Sequence, residues 1–490
     1  MEKVINKNIK KLNKQYGKDI LELNKIYDSI YQNIDLNIKI EPVIQDRFLP
    51  SFYKIYLLFS RNIIKKEYQN YLLEQFDVSK DDMGIIELEI KKINDVLKKI
   101  NVEITNEIEL KRKDINKINN LFENKTPKLK KILTDIIFYN IDLLPDEIKN
   151  LKNIDFLKHH SLLYNDFISF DIIESIRNMK CFVKVIYENK LLYVLYCKNK
   201  KEISSFKKEN MFKKIATRLL FISKYVSVGK LPMLRIYYTH HKKTIDYLFK
   251  KDIIYNPDNI NTAATDNRNM ILIWRKEELL KSILHETVHF YNLDIKNKSL
   301  VSKYNKYFMD KININKDNYI DIGESYTETI ANFLNCIFYI NENQKKETNI
   351  LKMFNENLKK EILFSIFQSS KILYYQKYKS FNDLFIKNTK TELNQTTNMF
   401  SYHIIKSSLL FNIYDVFNNN SKDKLELNLD TFDKKKIDGF DKIIKTSFET
   451  KNKWNKYIDE YITFFSKKKT KKLNKFNKKN IKSLKMTFLS

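Results

Sequence analysis

The sequence predicts an α+β protein, predominantly helical, with a small mixed sheet. Glycine and proline are scarce, 5 and 6 in 490 residues, which leaves little turn chemistry for long all-β stretches. Apolar residues recur at helical spacing along most of the chain, as in LKKILTDIIFYNI and DIGESYTETIANFLNCIFYI. Between about 180 and 274, short β-rich runs interrupt that pattern.

The elements follow in order. Residues 1–165 read as a helical N-terminal region, with FLPSFYKIYLLF (48–59) as a buried helix and His159 and His160 as a surface pair. CFVKVIYENKLLYVLYCK is two strand-like runs about Glu188, Asn189 and Lys190, hence a hairpin. A helix is expected at about 208–226, a strand at MLRIYYTH (233–240) and a short helix around Ile245–Phe249. The strand MILIW (270–274) leads directly into the helix RKEELLKSILHETVHFYN, and after residue 324 the period is helical almost to residue 490. The resulting division is a helical region 1–165, a core 166–340, a C-terminal helical subdomain 341–465 and a basic tail 466–490.

Composition narrows the class. Hydrophobic residues make up 43% and aromatic residues 13% of the chain, enough for real cores. The net charge of +29, from 89 basic and 60 acidic residues, would ordinarily point to nucleic acid. Only eight of the basic residues are arginine, the residue that grips phosphate bidentately, and a Lys-, Asn- and Ile-rich chain is what an AT-rich genome encodes. The lysines of 467–483 remain a candidate nucleic-acid contact. Cys181, Cys197 and Cys336 have no C-x-x-C spacing and are odd in number, so a reducing compartment fits. With no apolar signal core and no membrane-length apolar run, an intracellular protein with no membrane span is expected.

The stretch SILHETVHFYN (282–292) concentrates the chemistry. On a helix, residues four apart lie one turn above each other, so His285 and His289 project from one face and suit a single metal ion. Glu286, about 100° away, can instead reach a water at that ion. This is the two-ligand and general-base logic of H-E-x-x-H. Composition alone produces the pattern roughly once in a hundred such chains, so a third ligand matters. The metzincin continuation fails, because Asn292 and Ile295 stand where its glycine and histidine belong.

Downstream, Glu324 and Glu328 lie one turn apart in GESYTETIA. This resembles the gluzincin pattern E-x-x-x-D, with Glu in place of the usual Asp. The resemblance implies a zincin-like core holding one catalytic Zn2+, with Glu324 as third ligand and Glu328 supporting a zinc histidine; the longer Glu leaves their roles exchangeable. It also implies an oxyanion donor C-terminal to the ligand helix, for which Tyr402 and His403 are the candidates and Tyr326 a further one. NTAATDNRNMILIW is similar to the substrate-pairing edge strand of neprilysin-type peptidases, which implies a substrate contact for Asn261, although Thr262 is an extra residue there. A closer resemblance is to an uncharacterised group of proteins with zinc-peptidase motifs encoded by large nucleocytoplasmic DNA viruses. NTAATDNRNMILIWRKEELLKSILHETVH and GESYTETIA carry it, over about residues 230–340, with weaker likeness at SYHIIKSSLL (401–410) and SLKMTFLS. It implies a fold and a metal class, and a host cytoplasm or virion location, but no substrate. The leading expectation is a zinc metallopeptidase acting on a peptide or protein. The alternative is a catalytically silent zincin-fold structural or binding protein, such as a virion component, engaging nucleic acid through its basic tail. Oligomeric state is left open.

Overall fold

The computed structural model describes residues 1–42, 434–449, 452–466 and 483–489, and residues 168–417 apart from 169, 178, 226–229, 245–254, 256, 266–269, 296–297, 315–319, 344–348 and 387–391. Within them the α+β expectation holds. Strands β1 (Asn37–Pro42), β2 (Cys181–Tyr187), β3 (Lys190–Cys197), β4 (Met233–Tyr237), β5 (Ala263–Thr265) and β6 (Met270–Ile273) form one sheet in the order β1-β2-β3-β4-β6-β5. β2 and β3 are antiparallel, β3–β4 and β4–β6 parallel, and β5 runs antiparallel to β6 at the edge. The hairpin closes through Glu188 and Asn189 at φ 47° and 60°, the pair of left-handed residues that a two-residue turn needs to match strand twist.

The helices are α1 (Glu2–Asn33), α2 (Phe170–Arg177), α3 (Lys200–Lys208), α4 (Met211–Tyr225), α5 (Pro257–Ile260), α6 (Leu279–Phe290), α7 (Lys298–Lys311), α8 (Ile322–Asn343), α9 (Ile350–Tyr375), α10 (Lys406–Phe411), α11 (Ile413–Phe417), α12 (Lys434–Phe448) and α13 (Lys453–Ser466), with a π-helical turn at Phe400–Ile405 leading into α10. Asn210, at φ 55°, separates α3 from α4, so the single helix expected at 208–226 begins at Met211. The expected helices at 48–59 and Ile245–Phe249, the pair His159 and His160, and the lysines of 467–482 lie outside the described residues.

Two apolar cores meet at α6. One face of the sheet (Val183, Val185, Leu195, Leu234, Ile236, Ile271, Ile273) packs with Phe206, Ile215 and Leu219, and takes Leu279 and Ile283 from α6. The larger, helical core takes Leu284 and Val288 from the same helix, together with the stripes of α1, α8 and α9. Two apolar stripes on one short helix leave a third side for polar residues, and that is where His285, Glu286 and His289 fall.

Two boundaries drawn from the sequence move. Met1–Glu41 and Glu174–Ser490 form one compact unit, and Pro42–Ile173 forms a second that lies almost wholly outside the described residues. The division at 165 therefore separates α1 from the unit it packs in, where Ile5, Ile9, Leu12, Tyr16, Ile20, Leu23 and Tyr27 are buried at helical spacing. The tail drawn as 466–490 likewise ends in a core element rather than a solvated one. Leu484 and Thr487 are fully buried and Met486 and Leu489 nearly so, because carboxylates and amides of distant helices bind that segment's main chain. No described helix is long and apolar enough to cross a membrane.

Candidate metal centre

The H-E-x-x-H stretch forms the second half of α6, and Glu324 lies in the first turn of α8. These two helices pack together in the interior, which brings one donor atom each from His285, His289 and Glu324 to a common point. His285 Nε2 and His289 Nε2 are 3.1 Å apart, and Glu324 Oε2 lies 3.2 Å from the first and 3.3 Å from the second. The three residues could hold a metal ion.

The far nitrogen of each imidazole is also engaged. His285 Nδ1 lies 2.9 Å from Glu328 Oε1, and His289 Nδ1 lies 2.7 Å from Asp294 Oδ2. A carboxylate behind each ligand histidine fixes the ring's tautomer and aim and raises its basicity. Glu328 in turn accepts from the buried Lys281 Nζ at 2.6 Å, one turn before His285 on α6. Glu324 and Glu328 thus occupy different places: the first faces both Nε2 atoms, the second stands behind one ring.

Electrostatics follow the same geometry. Burial raises the Glu324 carboxyl, but the two facing histidines outweigh it and hold the group well below the usual carboxylate range. Burial likewise disfavours the His289 imidazolium, yet Glu324 and Asp294 carry its pKa well above the ordinary value.

Glu286 is buried beside the triad, and the Thr265 hydroxyl of edge strand β5 donates to its Oε2. Tyr402 lies on the π-helical turn, its ring centroid 6.2 Å from that of His285. Burial, then Glu324, Glu286, Glu328 and Asp321, keep its phenol well above the ordinary value, so it remains a hydrogen-bond donor. Single π turns of this kind re-aim a side chain within a helix. His403 is the other oxyanion candidate. It is fully buried, neither ring nitrogen has a hydrogen-bond partner among the described residues, and burial together with Lys406, Lys243 and Lys371 lowers its pKa far below the usual value. On the same π turn Tyr402 is half-buried and His403 fully buried. Tyr326 is buried in the helical core. Asn261 precedes β5; its carbonyl accepts from Arg275 Nε at 2.8 Å and its Oδ1 from the Thr397 hydroxyl at 3.1 Å.

Asp294, Lys281 and Thr265 were not singled out in the sequence. Asp294 had a local signal, an acid five residues after His289, but it reaches back only because Asn292 turns the chain at φ 57°. Replacing Asp294 or Glu328 by alanine is expected to weaken metal binding about 10–100-fold while leaving the triad in place. Competition titration against a chromophoric chelator measures it; unchanged affinity in both variants would remove the carboxylates from the site.

No family model matches the chain, and no solved structure does. An uncharacterised protein of Acanthamoeba polyphaga mimivirus is 28% identical to it over 183 residues, covering 36% of this chain and 45% of that protein. The aligned part is thus less than half of that relative's length, and the likeness is to a viral protein whose printed description assigns no activity.

Proposed function

We propose that the protein is a zinc-dependent peptidase, with His285, His289 and Glu324 as metal ligands and Glu286 as general base. The observation that carries this reading is the triangle of donor atoms, 3.1, 3.2 and 3.3 Å on its sides. Donors about 2.0–2.1 Å from one zinc ion in tetrahedral geometry are about 3.3 Å apart. Two nitrogens and one oxygen also suit zinc, and three protein ligands leave the fourth position that catalytic sites keep open.

A zinc ion held there would supply a Lewis acid for water and for a peptide carbonyl. Glu286, one residue from a ligand and kept in place by Thr265, takes the proton from water and delivers it to the departing amide nitrogen. Tyr402 donates to the oxygen on which charge develops. β5 ends the sheet, so an extended peptide or protein substrate adds along its outer edge by main-chain pairing. Asn261 stands at the start of that strand.

Zinc content per chain tests the reading. About one zinc is expected in the parent, none in His285→Ala, and a large loss in Glu324→Ala. A well-folded parent that takes up no zinc after supplementation would sink the proposal. Full zinc occupancy without turnover of any peptide library would favour the silent structural protein instead.

A further inference from the structure

Beneath the metal centre the chain binds a short stretch of itself, as a protein binds a peptide. Ser483–Leu489 lies in the interior in irregular backbone with bends at Met486 and Phe488. Apart from an isolated antiparallel bridge, in which Leu484 N donates to Lys243 O at 2.7 Å, its main chain is held by side chains. Glu278 Oε1 accepts from Met486 N and Thr487 N, both at 2.6 Å, and Glu361 Oε1 accepts from Phe488 N and Leu489 N, both at 2.9 Å. Gln368 Nε2 donates to Lys485 O at 2.9 Å, Lys406 Nζ to Met486 O at 2.6 Å, Lys371 Nζ to Ser483 O, and Asn335 Nδ2 to Leu489 O at 3.0 Å. Leu484, Met486 and Leu489 complete the helical core.

The positions of these receptors give the contact its meaning. Glu278 immediately precedes α6, the helix that carries His285, Glu286 and His289. Asn335 lies on α8 with Glu324 and Glu328, and Lys406 directly follows the π turn that carries Tyr402. One segment therefore ties together α6, α8 and the π turn. The receptors are buried charges and amides. Removing the segment takes from Glu361 the Thr487 hydroxyl and the N–H groups it accepts from and leaves Glu278 with Lys243, and buried carboxylates short of partners do not keep their surroundings ordered.

We propose that Ser483–Leu489 is an exchangeable internal ligand, and that its seating holds α6 and α8 in the register that brings the metal ligands together. Occupancy of the groove then sets metal affinity. The inference rests on the metal-centre reading for its effect, but not for the binding itself. The groove reads main-chain N–H and C=O groups and admits apolar side chains at three points, so its ligand class is a short apolar peptide that bends to turn successive N–H groups onto one carboxylate oxygen. While the segment is joined to the chain, its effective concentration is high and the groove stays filled.

The test uses the full chain with a protease site inserted between Ser466 and Ser483, cut after folding so that only the covalent link is lost. On dilution the cut protein is expected to lose zinc with at least tenfold lower apparent affinity than the uncut protein. Excess synthetic peptide SLKMTFLS should restore it. The same peptide carrying Thr487→Pro, which lacks one N–H for Glu278, should not. Zinc retention equal to that of the uncut chain at every dilution, with or without peptide, overturns the proposal. If the uncut chain itself takes no zinc, the metal reading fails separately. Fluorescence anisotropy of labelled SLKMTFLS on the cut chain then decides the groove: saturable binding upholds an exchangeable ligand, and no binding overturns it.

Discussion

Glu286→Gln is expected to keep its metal and to lose peptide hydrolysis by about 10²–10⁴-fold, the usual contribution of a general base. Glutamine has the same shape and can still accept from the Thr265 hydroxyl, which meets Glu286 at Oε2, so the cavity and its neighbours need not move. What it lacks is a basic oxygen that can take a proton. His285 and His289 keep their partners Glu328 and Asp294, so zinc content serves as an internal control. The measurement is kcat/KM on a peptide that the parent cleaves, with metal analysis of the same samples. A variant retaining more than about a tenth of parental activity would lie outside that range and end the assignment of Glu286 as base.

The second large effect concerns stability. Arg218 on α4 is fully buried; it forms an ion pair with Glu342 of α8 and donates to Tyr27 Oη of α1 at 3.1 Å and to Asn335 Oδ1 at 3.2 Å. Tyr27 stacks on Phe338, ring centroids 4.1 Å apart, with the guanidinium close to both rings. Arg218→Met strands the Glu342 carboxylate in the interior and should destabilise the fold by about 3–5 kcal/mol. Arg218→Met with Glu342→Leu removes both charges and should recover much of that loss. Urea unfolding of the two variants and the parent checks the pair. A loss below about 1 kcal/mol in the single variant would resemble an exposed pair and would mean that water reaches Glu342.

What the sequence disclosed was local. The hairpin was legible because Glu188 and Asn189 sit between two β-rich runs, and a two-residue turn has few solutions. His285, Glu286 and His289 were legible because helical spacing alone puts two of them on one face. The place of Glu324 was legible only through resemblance; the roles of Glu324 and Glu328 separate once α6 and α8 are packed. Other parts were hidden for a common reason. Asp294 reaches His289 through a turn that no periodicity announces. Tyr402 and His403 are adjacent letters sent to different environments by a π turn. The lysine-rich end read as solvated because Glu278 and Glu361, which bind Ser483–Leu489, lie more than a hundred residues away. Contacts that depend on distant partners leave little trace in a local pattern.

The double role of α6 has a consequence for how the protein comes apart. Leu279 and Ile283 belong to the sheet's core and Leu284 and Val288 to the helical one, so one short helix is shared by both cores. Neither half can melt while the other keeps its full complement of side chains. Local opening that spares the imidazoles is confined to elements remote from this shared helix. Melting of either core therefore removes packing from the helix that carries the imidazoles, and on heating the loss of either core should be accompanied by loss of zinc binding.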